Sequence, residues 1–436
     1  MKRLLLIAPV APDSMLGGDL FFRIPSLSLL KVAALTSSGW DVVIVDEKVE
    51  PLDLTQGADL VGITAMTTTA NRGYQIADQF RARNIKVVMG GMHASQMPDE
   101  ALQHCDSVVI GEAEELWPRV LSDFDRGQLQ PRYDHNGNYP SLTGLPQPNW
   151  ELYRTKNYLP VHFIETTRGC PHDCEFCAVT HAFGGKYRNR PVDEVDKELR
   201  SLKLFERLFS IQRAVFFVDD NIIGNRAHAR ELLTRIADLK LNWFGQVSVN
   251  IARDDELLKL FQKSGCLGIF IGFETLSPDC LKGAGKTWNM PQNYFDVIQK
   301  IHDHGIGIDG SFVFGFDEDD EGVFDRTLEF VLKAKIEVGY FSILTPYPGT
   351  RFYRRIVAEN RLLTTNWDLF DSSRAVFRPK KMTPERVQEG FNYVLKECYS
   401  TRSLFRRLWG TTSKKNFFWP MNIGFRQSAL KMLRTR

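Results

Sequence analysis

The sequence predicts an α/β protein in which an N-terminal doubly wound, Rossmann-like parallel sheet precedes a partial (β/α)6 TIM-like barrel and a C-terminal helical tail. Three observations carry this. Five apolar runs of strand length alternate with amphipathic stretches before residue 125. A Pro-, Gly- and Asn-rich stretch without periodicity follows. Six further strand-like runs then alternate with helical ones, fewer than the eight of a closed barrel. The boundaries read from these shifts are 1–125, a linker at 126–157, a barrel at 158–380 and a tail at 381–436.

The first strand candidate is "RLLLIAPV", followed by the helical "SLSLLKVAALTSSG" with its glycine stop. "DVVIVDE", "DLVGITAM", "KVVMGGM" and "SVVIGEAE" continue the series, with helical "TTTANRGYQIADQFRARN" before the fourth run. Doubly wound sheets bind ligands at the carboxyl ends of their strands. The barrel strands are "VHFIETTRG", "AVFFVDDN", "FGQVSVN", "LGIFIGFE", "GIDGSFVFGF" and "GYFSILTPYPGT". Asp219, Asp220, Asn221 and Glu274 end such runs, where barrel enzymes keep their chemistry. Gln246, Ser248 and Asn250 alternate along the third and share one face.

Composition is that of an ordinary globular chain, 43% hydrophobic with net charge +2. The charge is unevenly spread. After Glu397 nine basic residues and no acidic ones follow, so the tail carries +9 and the body −7. No signal peptide or run of eighteen apolar residues is visible, and seven cysteines argue against a disulfide framework. A cytoplasmic protein is expected.

"TTRGCPHDCEFCAVT" holds Cys170, Cys174 and Cys177 in a C-x3-C-x2-C pattern. Buried thiols, a zinc site completed by His181, and an iron–sulfur cluster are the three readings. Three thiolates on one loop can hold a 4Fe-4S cubane by three irons and leave the fourth open. Cys105, Cys266, Cys280 and Cys398 have no cluster spacing and read as structural thiols.

With Phe176 before the last cysteine and a βα series behind it, this loop resembles the radical S-adenosylmethionine (SAM) superfamily. The resemblance implies that SAM binds the open iron, that one electron cleaves its sulfonium, and that a 5′-deoxyadenosyl radical attacks an unactivated carbon. It also implies cofactor contacts from Phe176, Asp219, Asp220, Asn221 and Ser248, with Glu274 near the ribose, and a flavodoxin, ferredoxin or reductase as electron donor. "TPYPGT" is a structural turn.

The sheet ahead of the barrel is similar to the cobalamin-binding subfamily. "GITAM" offers Thr64 and Met66 toward the corrin or its nucleotide tail, "MGGMH" offers the pair Gly90 and Gly91, and "VIGEAE" offers Gly111 and Glu112. The Asp-x-His-x-x-Gly motif that supplies a lower axial histidine is absent. His93 reads as a loop histidine, and the Gly17–Gly18 loop with Phe21 and Phe22 as a cover for the corrin.

The resemblance implies modification of an unactivated carbon, with C-methylation of a lipid-like or other small molecule first. Oxidative cyclisation without methyl transfer is the alternative, and a non-catalytic iron–sulfur redox or assembly protein is the reading from another class. The basic, aromatic tail suits peripheral membrane contact or a helix pair docked on the barrel. Nucleic acid is not the expected partner.

Overall fold

The computed structural model describes residues 1–11, 23–202, 214–411 and 413–434. The Gly17–Gly18 loop with Phe21 and Phe22 lies outside the described residues. Strands β1 (Lys2–Ala8), β2 (Trp40–Asp46), β3 (Leu60–Thr64), β4 (Lys86–Gly90), β5 (Ser107–Ile110) and β6 (Arg132–Asp134) form one parallel sheet in the order β2-β1-β3-β4-β5-β6. Their Val, Ile and Leu side chains are buried on both faces, as a sheet covered by helices requires. Strand order reverses between β1 and β3, which puts the ligand crevice at their carboxyl ends.

The linker expectation needs one correction. Arg132–Asp134 adds a sixth strand, with Val108 of β5 opposite Arg132. Three residues are too few to show a period of two. Farther on, Tyr153 is buried and Tyr158 donates to the Asp46 carboxylate at 2.9 Å, so the stretch packs on the first sheet.

The chain then forms β7 (His162–Ile164), a short antiparallel ribbon of β8 (Thr167–Arg168) and β9 (Arg188–Asn189), and β10 (Ala214–Phe217), β11 (Asn242–Val247), β12 (Cys266–Glu274), β13 (Gly307–Phe314) and β14 (Val338–Ile343). The second sheet runs β14-β13-β12-β11-β10-β7, all parallel. Among the described residues β14 and β7 do not pair, so the barrel stays open there. Outward residues such as Phe217, Trp243, Ile271 and Ile308 are sealed under helices. Their inward neighbours Phe216, Phe244, Gln246, Phe270, Asp309 and Tyr340 keep accessible surface and line a lumen.

The tail forms helices Pro384–Cys398, Thr401–Leu408 and Lys415–Arg434. Phe418 fills the space left by Gly268 and Gly307 at the amino ends of β12 and β13, and Phe417 packs at a tilt against Phe244 with ring centres 4.7 Å apart. Aromatic residues of the tail thus plug the bottom of the barrel. One of its nine cations, Arg407, is fully buried and donates to the carbonyls of Ile336 at 3.0 Å, Glu337 at 2.6 Å and Cys398 at 3.1 Å. Among the described residues no helix is long and apolar enough to cross a membrane.

Candidate active site at the domain interface

The three cysteines lie on the excursion 169–187 between β8 and β9. Gly169 opens it at φ +87°, and a Cβ there would come within 2.6 Å of the Lys186 carbonyl oxygen. The Cys177 amide donates to the Cys174 carbonyl at 3.2 Å, turning the chain between the second and third thiols. Burial pushes the Cys174 thiol up to about 12 and Cys177 up to about 11, and each feels the charge of its neighbours. Among the described residues no three Cys, His, Asp or Glu side chains close round a single ion. Three thiols on one loop within electrostatic reach of one another suit a larger group that binds thiolates and displaces their protons. His181 sits on the following helix, with Asp173 and Arg354 near its ring.

The loop is tied down on its far side. Glu175 pairs with Arg355 at 2.8 Å, its carbonyl accepts from the Phe352 amide at 3.1 Å, and Phe176 packs edge-on against Phe316. His172 stacks on Trp288 with ring centres 3.9 Å apart.

The polar strand ends divide by direction. Asp220 faces the lumen, beside the Gly169 N–H, and its charge acts on Cys170 and Cys177. Asp219 points the other way and is buried. It accepts from the Thr166 amide at 2.8 Å, from both threonine hydroxyls at 2.9 Å and from the Thr167 amide. Those donors fill its carboxylate, so Asp219 holds the stem of the cysteine loop instead of facing a cofactor. Asn221 is also structural in placement: its Oδ1 accepts from the Ser248 amide at 3.3 Å and its carbonyl from Tyr187 at 2.7 Å.

Glu274 ends β12 at φ +65°, beside a break in register with β13. A non-glycine residue held there is strained, a feature concentrated at functional sites. Lys286 fixes it, donating to Glu274 at 2.5 Å and to the Gly272 carbonyl at 2.8 Å. The same ammonium favours the thiolates of all three cysteines. Lys286 was not legible in the sequence, since it lies twelve positions and a helix beyond Glu274.

Deeper in the lumen Asp309 stands among aromatic rings, and its Oδ1 has no hydrogen-bond partner among the described residues. Burial pushes this carboxyl up to about 7. The folded state then holds a proton that the unfolded chain loses near pH 4, so stability falls as pH rises from about 4 to about 7. Asp309→Asn is expected to flatten this part of the stability profile, measured by denaturant titration at stepped pH. An unchanged slope would assign the titration to other groups.

The carboxyl edge of the first sheet forms a ledge. Ser95 links its strand ends, donating to the Gly91 carbonyl at 2.8 Å and accepting from the Gly111 amide at 2.9 Å. Gly91 adopts φ +90°, and a Cβ there would lie 2.7 Å from the Thr64 hydroxyl. The protein's own chain therefore demands this glycine. Gly111, also at φ +90°, is demanded by the His135 ring packed on it. At Gly90 a Cβ would make only ordinary contacts, while Met66 leaves 61% of its surface exposed on the ledge. A flat edge at the strand-order reversal, with an exposed thioether, fits a bulky planar group. His93 is buried in a short helix, 3.5 Å from Glu100, and burial keeps it neutral.

Glu112 departs from the expectation of cofactor contact. Its buried carboxylate pairs with Arg168 and with Arg188, and Arg168 also pairs with Glu114 at 2.6 Å and Glu165 at 2.9 Å. This network joins the first domain to the base of the cysteine loop.

A glycine-edged parallel sheet facing a three-thiol loop at the mouth of an open barrel defines a radical SAM enzyme with a corrin-binding domain. Sequence profiles agree: "Radical SAM superfamily" matches residues 164–331, "B12 binding domain" residues 15–121, and a domain of unknown function, DUF4070, residues 350–426. The chain is 35% identical to bacteriochlorophyllide d C-12(1)-methyltransferase of Chlorobaculum tepidum, over 97% of this chain and 92% of that protein. It therefore belongs to the cobalamin-dependent radical SAM methyltransferase family, whose cofactors are a 4Fe-4S cluster, SAM and cobalamin. Hopanoid C-2 methylase of Rhodopseudomonas palustris is 26% identical over 88% of this chain and 76% of its own. The cobalamin-dependent SAM radical enzyme OxsB shares the fold at 14% identity, with TM-score 0.70 over 99% of this chain and 72% of its own. Membership in a family of enzymes sets aside the non-catalytic reading.

Proposed function

We propose that this enzyme methylates an unactivated carbon of a large, mostly apolar small molecule, with a bacteriochlorophyllide-type tetrapyrrole as the first candidate. The observation that carries this is the half-buried aromatic set Phe216, Phe244, Phe270 and Tyr340 on the inner face of the open barrel, at whose first strand the three-thiol loop begins. The 35% identity to a tetrapyrrole methyltransferase supports the substrate class.

In this reading Cys170, Cys174 and Cys177 hold the cluster, and Asp220 and Lys286 flank it with charges complementary to the ammonium and carboxylate of SAM. Glu274, locked by Lys286, turns toward the ribose, and Ser248 lines the same rim. Thr64, Met66, Gly90, Gly91 and Gly111 form the corrin's seat. Once bound, the cluster supplies the electron for sulfonium cleavage and the corrinoid supplies the methyl group. The chain's own work is to exclude water with Phe216, Phe244 and Phe270, to orient substrate, and to present Asp309 to its polar end. A flavodoxin or ferredoxin is the electron donor of this scheme.

Anaerobically reconstituted enzyme, given bacteriochlorophyllide d and SAM with a labelled methyl group, should release 5′-deoxyadenosine and label the product. Release of 5′-deoxyadenosine with an unlabelled, dehydrogenated or cyclised product would overturn methyl transfer. Labelling of a hopanoid in place of the tetrapyrrole would overturn the substrate class.

The tail supports a peripheral membrane role for the same scheme. Trp409 is 73% and Phe405 51% exposed, near exposed Arg402 and Arg406. Rings and cations on one surface suit an anionic bilayer. Phosphatidylglycerol vesicles should co-sediment the enzyme, and Trp409→Ala with Phe405→Ala should reduce this several-fold. Equal recovery with neutral vesicles would argue against it.

A further inference from the structure

The base of the cysteine loop poses an electrostatic problem. Arg168 and Arg188 lie directly opposite each other on paired strands β8 and β9. Like charges in that register repel and open a two-stranded ribbon. The loop between them carries Cys170, Cys174 and Cys177, so splaying of the base would displace all three. The neutralising anion comes from the other domain. Glu112 Oε2 accepts from Nη1 of Arg168 and, at 2.9 Å, from Nη1 of Arg188, while Oε1 takes a second bond from Arg188. The Glu112 side chain is 1% exposed and Arg168 is also buried, so water does not screen these charges.

The surrounding groups complete the balance. Glu114, from the first domain, and Glu165, at the end of β7, take the remaining Arg168 donors, and Lys31 of the first domain pairs with Glu165. Three carboxylates and three cations, half from each domain, therefore form one closed set. Glu165 accepts from Lys31 and, at 2.9 Å each, from Nε and Nη2 of Arg168, so every charge of the set has a partner of opposite sign within hydrogen-bond reach.

We infer that Glu112 is a positioning residue that staples the base of the cysteine loop to the corrin-binding domain and thereby sets the distance between cluster and corrin. This rests on the cofactor assignment above. A methyl carrier and a radical source must meet one substrate carbon, and small misplacement is costly in such a geometry. The ribbon alone, closed by one pair of two-residue strands, has too few bonds to hold that distance.

The test uses full-length enzyme loaded with cluster and cobalamin, with iron and corrinoid content measured first. Wild-type protein lacking either would defeat the cofactor assignment, not the staple. Dipolar electron paramagnetic resonance between the reduced cluster and cob(II)alamin should give one narrow distance in wild type. Glu112→Gln, with both cofactors retained, should broaden it. In the same variant the ratio of 5′-deoxyadenosine to methylated product should rise, by up to about 100-fold for a misplacement of about 1 Å, as release of radical uncouples from transfer. Glu112→Asp should restore part of both signals. Adding Arg188→Gln to Glu112→Gln removes the opposed cation and should narrow the distance again, a rescue that a merely structural glutamate would not produce. If Glu112→Gln fails to fold, Arg188→Gln against the double variant gives the same comparison. An unchanged distance in Glu112→Gln, or no rescue by Arg188→Gln, overturns the staple.

Discussion

Cys170→Ala is expected to abolish reductive cleavage of SAM, reducing 5′-deoxyadenosine to the level seen without enzyme. In the proposed site three thiolates hold the cluster, so loss of one would leave two, too few to retain a cubane. Cys174→Ala should behave alike, because its residue is buried where those of Cys170 and Cys177 are half-buried, leaving little room for a substitute ligand. Cys105→Ala is the control. That thiol lies in the first domain, bonded to the carbonyls of Ala101 and Ser107, and its loss should cost little beyond a small cavity. Iron and sulfide analysis with the visible spectrum separates cluster loss from unfolding. Substantial 5′-deoxyadenosine from Cys170→Ala protein would refute the ligand assignment.

The parts of this molecule legible in the sequence are those written in short-range spacing. The C-x3-C-x2-C loop and all six barrel strands could be read because each is a contiguous run with its own period. β6 could not, being three residues within a Pro- and Gly-rich stretch. The ion network escaped for a different reason. Glu112 and Arg168 are 56 positions apart, and nothing local distinguishes a glutamate that meets a corrin from one that meets an arginine. The structure adds what the resemblance did not hold: Glu112 pairs with Arg168 and Arg188, and Gly91 is required by its φ and by the Thr64 hydroxyl whatever else its backbone meets. Composition likewise could not separate a docked tail from a membrane-seeking one. Both use aromatics and cations, and the structure divides them residue by residue, with Phe418 and Arg407 inside and Trp409 outside.

Asp219→Ala is expected to cost most of the bound iron without touching a cluster ligand. The carboxylate receives four hydrogen bonds from two consecutive residues, Thr166 and Thr167, just ahead of the cysteine loop. Two of those donors are backbone amides of fully buried residues just past the end of β7, where each orphaned group costs about 1–3 kcal/mol. The threonine hydroxyls can turn to other acceptors; the amides cannot. A loss of about 3 kcal/mol or more is therefore expected, read as a lower denaturation midpoint. Its functional effect should exceed its effect on stability, because the freed residues lead directly into Arg168 and Cys170. Asp219→Asn sharpens the comparison. The amide keeps one acceptor oxygen but turns an N–H toward donors, so it should fall between wild type and alanine in iron content. Asp220→Asn provides the contrast, since Asp220 faces the lumen and acts on Cys170 and Cys177 by charge. It should retain iron and the denaturation midpoint while weakening SAM binding, measured by equilibrium dialysis. If Asp219→Ala kept its cluster and lost only SAM affinity, Asp219 would be a cofactor contact and its bonds to the threonines incidental.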